Sequence, residues 1–150
     1  MRVYLVIIDE SAEAHVAIRF AARRAAKTNG AVHLLALVPK QAFNAFGGVQ
    51  ATMEEEARDR AEVLANSAAG ELISEGGNMP QISVRVGDAK QVITEYLKDH
   101  GEVAALVLAA AADGAPGPLV AHFSAHAGAM PCPLFVVPGT LSDQEIDRLS

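Results

Sequence analysis

Apolar positions fall in short unbroken runs separated by longer stripes of helical spacing, and the two patterns alternate along the chain. Residues 2–8 are continuously apolar from Val3 and rich in β-branched side chains, which predicts a central strand covered on both faces. Asp9 ends it. Ser11 is then the expected N-cap of a helix whose stripe of Ala14, Ala17, Ile18, Ala21 and Ala25 runs to Asn29-Gly30. Ala31–Val38 repeats the strand pattern and stops at Pro39, and residues 40–50 read as a loop containing Phe43, Phe46 and Gly47-Gly48. From Ala51, the series Met53, Ala57, Ala61, Leu64, Ala68 and Leu72 marks the longest helix, with Glu54, Glu55 and Glu56 facing solvent at its positive start. Gly76-Gly77-Asn78 breaks it. Gln81–Val86 is a third strand, and Asp88 caps a helix carrying Val92, Ile93, Tyr96 and Leu97. A fourth strand over 103–108, a loop over 109–117, a short helix over 118–129, a last strand over 133–137 and a terminal helical turn over 143–149 complete the pattern.

Strands that alternate with helices imply right-handed crossovers and a doubly wound α/β sandwich with a mostly parallel sheet. Ligands of such a sheet sit beyond the carboxyl ends of its strands, which directs attention to Asp9, Val38, Gly87 and residues 109–117. A chain of 150 residues suits one domain, because two halves would each bury too little. Half the residues are hydrophobic but only 5% are aromatic, so Ala, Val, Leu and Ile must fill the core. The net charge of −6, with no local cluster of Lys or Arg, disfavours nucleic acid and acidic membrane surfaces as partners. No apolar run reaches the roughly 20 residues of a bilayer span. The six apolar residues Val3–Ile8 are too few for a signal-peptide core, and a cytoplasmic location is expected. Cys132, the only cysteine, stands between Pro131 and Pro133 and reads as a buried structural thiol.

The candidate chemistry narrows by elimination. Asp9-Glu10 suits the magnesium site of a receiver domain, but the aspartate and lysine such a site needs after later strands are missing at Val86-Gly87-Asp88 and Val137-Pro138-Gly139. A flavodoxin-type phosphate loop fails too, since Asp9, Glu10 and Glu13 would repel a phosphate. Gly114 and Gly117 stand between a strand and a helix, where glycine lets an anion approach unpaired amides and equally suits the tight turn Gly114-Ala115-Pro116-Gly117. Both readings stay open. His122 and His126 share one helical face at a spacing able to hold a transition metal, without the third donor a site needs. His33 and His15 read as packed or partly exposed side chains, so neither a metal site nor a catalytic triad is assigned.

Four segments together resemble the universal stress protein family across nearly the whole chain. Val6 to Ser11 (VIIDES) is similar to the family's first strand with Asp-x-Ser, and Val84 to Asp88 (VRVGD) to its third strand with Gly-Asp. Leu106 to Leu108 (LVL) resembles the strand before its nucleotide loop, and Pro131 to Pro138 (PCPLFVVP) its last strand. The resemblance implies a five-stranded parallel sheet in order 3-2-1-4-5, of the adenine nucleotide alpha hydrolase type, with ATP across the strand ends in many members. It also implies that Asp9, with Ile8 beside it, meets adenine or ribose, and that Val38 offers a backbone contact to the adenine edge. The family's ATP-binding members carry Gly-x-x-Gly, nine residues, then Gly-Ser or Gly-Thr around the phosphates. Here Ala109 and Ala112 fall on the two glycines, or Gly114 and Gly117 supply them after a shift; the Gly-Ser position then falls on His122-Phe123 or Ala127-Gly128, or on Val120-Ala121 when counted back from the last strand. Ser124 is the nearest hydroxyl. A methyl where a phosphate needs close approach, and a lost hydroxyl donor, weaken such a grip.

The expectation is therefore a non-enzymatic regulatory or binding protein that holds ATP weakly or not at all. A functional ATP or AMP binder, or slow ATPase, using Asp9 and the Gly114–Gly117 loop is the alternative, and a metal-binding module through His122 and His126 is a third. The resemblance further implies a homodimer through Leu134, Phe135, Val136 and Val137, a strand that would otherwise be an open apolar edge.

Overall fold

All six residues of β1 (Val3–Ile8) are buried, as a strand covered on both faces requires. Its neighbours explain why. In the computed structural model, which describes residues 1–40 and 47–150 (of 47–51, the backbone alone), β1 lies between β2 (Ala31–Val38) and β4 (Val103–Ala110). β3 (Gln81–Val86) and β5 (Leu134–Pro138) form the two edges of the sheet, giving the order β3-β2-β1-β4-β5 with every pairing parallel. The helices are α1 (Ala14–Thr28), α2 (Gly47–Ser74), α3 (Ala89–Asp99), α4 (Pro118–Ala125) and α5 (Asp143–Leu149), with a 3-10 turn over Ala127–Ala129.

Alternation along the strands sorts side chains into two layers. Tyr4, Val6 and Ile8 face α1, α2 and α5, whereas Val3, Leu5 and Ile7 face α3 and α4. On the first side the helices meet the sheet largely through alanine: Ala17, Ala21, Ala22 and Ala25 of α1, and Ala57, Ala61, Ala65, Ala68 and Ala69 of α2. Small side chains let these helices lie close to the strands, which is how a core with few aromatics is filled. α5 is pinned by its buried Ile146 and by Arg19 of α1, whose guanidinium grips Asp147 through two bonds of 2.9 Å and reaches Glu75 at 2.6 Å.

Several expected boundaries move, each for a local reason. β4 continues through Ala110 because β5 pairs with it as far as Ala110↔Pro138, so Ala109 and Ala110 are strand rather than loop. Residues 47–50 belong to α2 and not to the preceding loop, whose Phe43 and Phe46 lie outside the described residues. Met53 is exposed; the buried stripe of α2 starts at Ala57. Ser11 does not cap α1: its N–H and hydroxyl both donate to Asp9 Oδ1, and the helix begins three residues later. α4 ends at Ala125. Asp88 caps α3 as expected, accepting from Gln91 N–H at 3.2 Å, and Asn29 ends α1 in the left-handed conformation.

Candidate functional site

Beyond the carboxyl ends of β1 and β4, a crevice opens between the start of α1 and the start of α4. It is lined by Asp9, Ser11 and Glu13 on one wall, and by Ala109, Gly117 and Leu119 on the other. Its volume is about 80 Å³, well below the roughly 300–1,000 Å³ of ordinary small-molecule sites. Of the expected site residues, Asp9, Ala109 and Gly117 are brought together here; Ile8 and Asp9 also line a second recess of about 280 Å³, with Leu37, Pro39, Arg60 and Leu64.

The wall formed by the loop after β4 is held by Ala111 N–H donating to Pro116 C=O at 3.1 Å. Gly114 and Gly117 both have positive φ. Gly117 stands at φ 109° and ψ 157° as the residue before α4, a conformation open essentially to glycine alone. A helix start offers unpaired amides to an anion, but Pro118 is the first residue of α4 and carries no N–H. The remaining charges are of the wrong sign for phosphate: the ionisable side chains among the lining residues are the carboxylates Asp9 and Glu13. One Asp9 oxygen is already engaged by Ser11.

Other expected residues fall elsewhere. Val38 is fully buried, and its carbonyl accepts from Gly87 N–H at 3.0 Å, leaving one lone pair for a further partner. Ser124 does not join the crevice lining; its hydroxyl lies 3.3 Å from the Ala121 carbonyl of its own helix, to which it donates. His122 and His126 are adjacent, with ring centroids 4.5 Å apart, and His126 Nδ1 lies 2.8 Å from the His122 carbonyl. Partial desolvation, then the neighbouring His126 and Lys90, hold His122 below the usual imidazole value. No third donor completes the pair among the described residues. Cys132 is half-buried, and burial raises its thiol above the usual value, which suits a structural role. Of the prospective dimer residues, Val137 is buried and Phe135 packs on Tyr4 and Phe20, so within β5 Val136 presents the most exposed apolar side chain. Glu13 lines the wall as one of the charges that the sequence already set against a phosphate, whereas Pro118 was read only as a helix start; a proline opening a helix next to a glycine was the available signal.

With this geometry in hand, comparison with known proteins is decisive at the level of family. The model of the universal stress protein family matches residues 1–138. The chain belongs to that family. No curated protein matches it significantly. Among solved structures, universal stress protein UspA from Lactobacillus plantarum aligns over 91% of this chain and 97% of its own, with a TM-score of 0.75 and 21% identity. A universal stress protein from Archaeoglobus fulgidus in complex with dAMP aligns over 91% and 97%, with a TM-score of 0.60 and 14% identity. A family protein from Arabidopsis thaliana with AMP bound aligns over 92% of each chain, with a TM-score of 0.60 and 14% identity. These likenesses establish the shared adenine nucleotide alpha hydrolase-like fold, a parallel sheet in order 3-2-1-4-5 with helices on both sides. No helix among the described residues is long and apolar enough to cross a membrane.

Proposed function

We propose that this universal stress protein is a non-enzymatic regulatory or binding member of its family, homodimeric through β5, whose crevice holds ATP weakly or not at all. The observation that carries this reading is the lining itself. Around a space of about 80 Å³ stand two carboxylates, Asp9 and Glu13, and a helix start whose first amide is replaced by Pro118. A triphosphate there would gain few donors and meet like charge. In support, the resemblance puts Ala109, near the end of β4, on a glycine of the family's phosphate-binding motif, and none of the counts for its Gly-Ser element lands on a Gly-Ser or Gly-Thr pair.

A second reading has its own support. Gly117 keeps a glycine-only backbone at the mouth of the crevice, and a methyl added at Gly114 or Gly117 would meet no atom within 4 Å. Asp9 also borders the recess beside Leu37 and Arg60, where a nucleoside has more room. An adenosine monophosphate held chiefly through its nucleoside is the form of nucleotide this arrangement favours over ATP.

Native mass spectrometry of freshly purified protein, followed by calorimetry with ATP and AMP, separates the readings. The first predicts no retained nucleotide and an ATP dissociation constant weaker than about 100 μM. Near-stoichiometric ATP, lost on Asp9→Ala, overturns it.

A further inference from the structure

The other end of the sheet carries a cluster that the crevice does not use. His33, near the amino end of β2, lies on the α3 side, where His100 closes α3 and Glu102 precedes β4. These residues are 67 and 69 positions apart from His33 (100 − 33 and 102 − 33), so only the fold unites them. Each can offer one ligand atom, and the three atoms lie within 4.8 Å of one another. We propose that His33, His100 and Glu102 form a transition-metal site, with Zn²⁺ as the ion that fits it best.

Two imidazoles and a carboxylate are a donor set that zinc accepts, with its fourth tetrahedral position left to water. Donors on one such ion, with bonds of about 2.0–2.2 Å, stand roughly 3.3–3.6 Å apart. His100 Nδ1 and Glu102 Oε1 are already 2.9 Å apart, and an ion between them replaces the proton they share. The exposed Glu102 side chain is the member free to close the remaining gap. The floor of the site is rigid: His33 is only 7% exposed, and its ring meets that of His100 edge-on at 5.9 Å.

The surroundings orient the first ligand as zinc sites require. His33 Nδ1 lies 2.8 Å from the hydroxyl of the fully buried Tyr96. With Nδ1–H donating to that oxygen, Nε2 is the unprotonated nitrogen left to ligate. The Tyr96 ring in turn stacks on His100, with centroids 4.0 Å apart and planes 17° apart, so one side chain sets both imidazoles.

The test uses the full chain without a polyhistidine tag, stripped of metal. Titration with Co²⁺, followed by its visible absorption, and equilibrium dialysis with Zn²⁺ should show one equivalent bound with tetrahedral cobalt intensity. His100→Ala and Glu102→Gln, both at accessible positions, should each weaken binding by at least about 10-fold while circular dichroism stays unchanged. Tyr96→Phe should weaken it by roughly 10- to 100-fold as an orienting partner. Replacing both His122 and His126 should leave it intact. No uptake of either ion at stoichiometric concentration, uptake undiminished by His100→Ala, or loss only in the His122/His126 variant overturns the proposal.

Discussion

Gly117 and Gly70 show how the same residue answers different demands. An added methyl meets nothing within 4 Å at either position, so crowding decides neither. Gly117, at φ 109° and ψ 157°, holds the turn into α4, and Gly117→Ala should cost about 1–3 kcal/mol in urea unfolding through backbone strain alone. Gly70 lies in the exposed interior of α2, where glycine wastes conformational entropy. Gly70→Ala should stabilise the protein by about 0.5–1 kcal/mol in the same assay. Residue chemistry was legible in the sequence where it acts over one turn, as in the Asp88 cap. It was illegible where two local bonds compete: Asp9 and Ser11 both suit a cap, and only the geometry shows Asp9 taking the Ser11 donors for itself. The His33 cluster was illegible for another reason, since nothing in a β-strand histidine announces partners from the end of α3.

At the level of elements, α5 depends on a charge cluster. Arg19 and Arg23 both hold Asp147, Lys27 donates to the Asp147 carbonyl at 2.6 Å, and Glu75 completes the group from the end of α2. The bond from Arg19 is the main reason the Asp147 carboxyl lies below its ordinary value, opposed by partial desolvation. A carboxylate depressed in the folded state stabilises fully above its unfolded value, about 3.9, and loses that contribution as pH falls from there through the folded value. Amide exchange in α5 should therefore accelerate below about pH 4 before α1 opens, and Asp147→Asn should shift that acid response. Unchanged α5 exchange down to the global acid transition would show that the ion pairs do not hold it. Ile146, fully buried beneath the helix, sets the apolar share: Ile146→Ala should cost about 2–5 kcal/mol in denaturant unfolding. The existence of α5 could be read from Ser142 and Glu145, which form its capping box, but its docking could not, because the partners lie on α1 and α2.

For the whole molecule, the alternation of apolar runs and helical stripes was enough to give the strands, and the resemblance to a family gave their order. The size and sign of the crevice were not legible, because they depend on how the turn after β4 stands against the start of α1. The two sheet edges now bear on assembly. β3 ends the sheet with Gln81, Ser83 and Arg85 on alternate positions, polar groups that discourage pairing. β5 carries Leu134, Phe135, Val136 and Val137 without a charge, and Val136 is 40% exposed. Of the two edges, β5 is thus the one the proposed homodimer would use, since a second β5 across a twofold axis would cover it with identical chemistry. Sedimentation at about 10 μM should give a dimer, a concentration at which an association weaker than about −7 kcal/mol would fail to hold one. Val136→Lys places a charge on that edge while leaving the buried Val137 and the partly buried Phe135 in place, so it should yield a folded monomer with unaltered helical content. A wild-type monomer under these conditions, or a dimer that survives Val136→Lys, would move the interface away from β5 and leave the bare edge to be protected by its own shortness between Pro133 and Pro138.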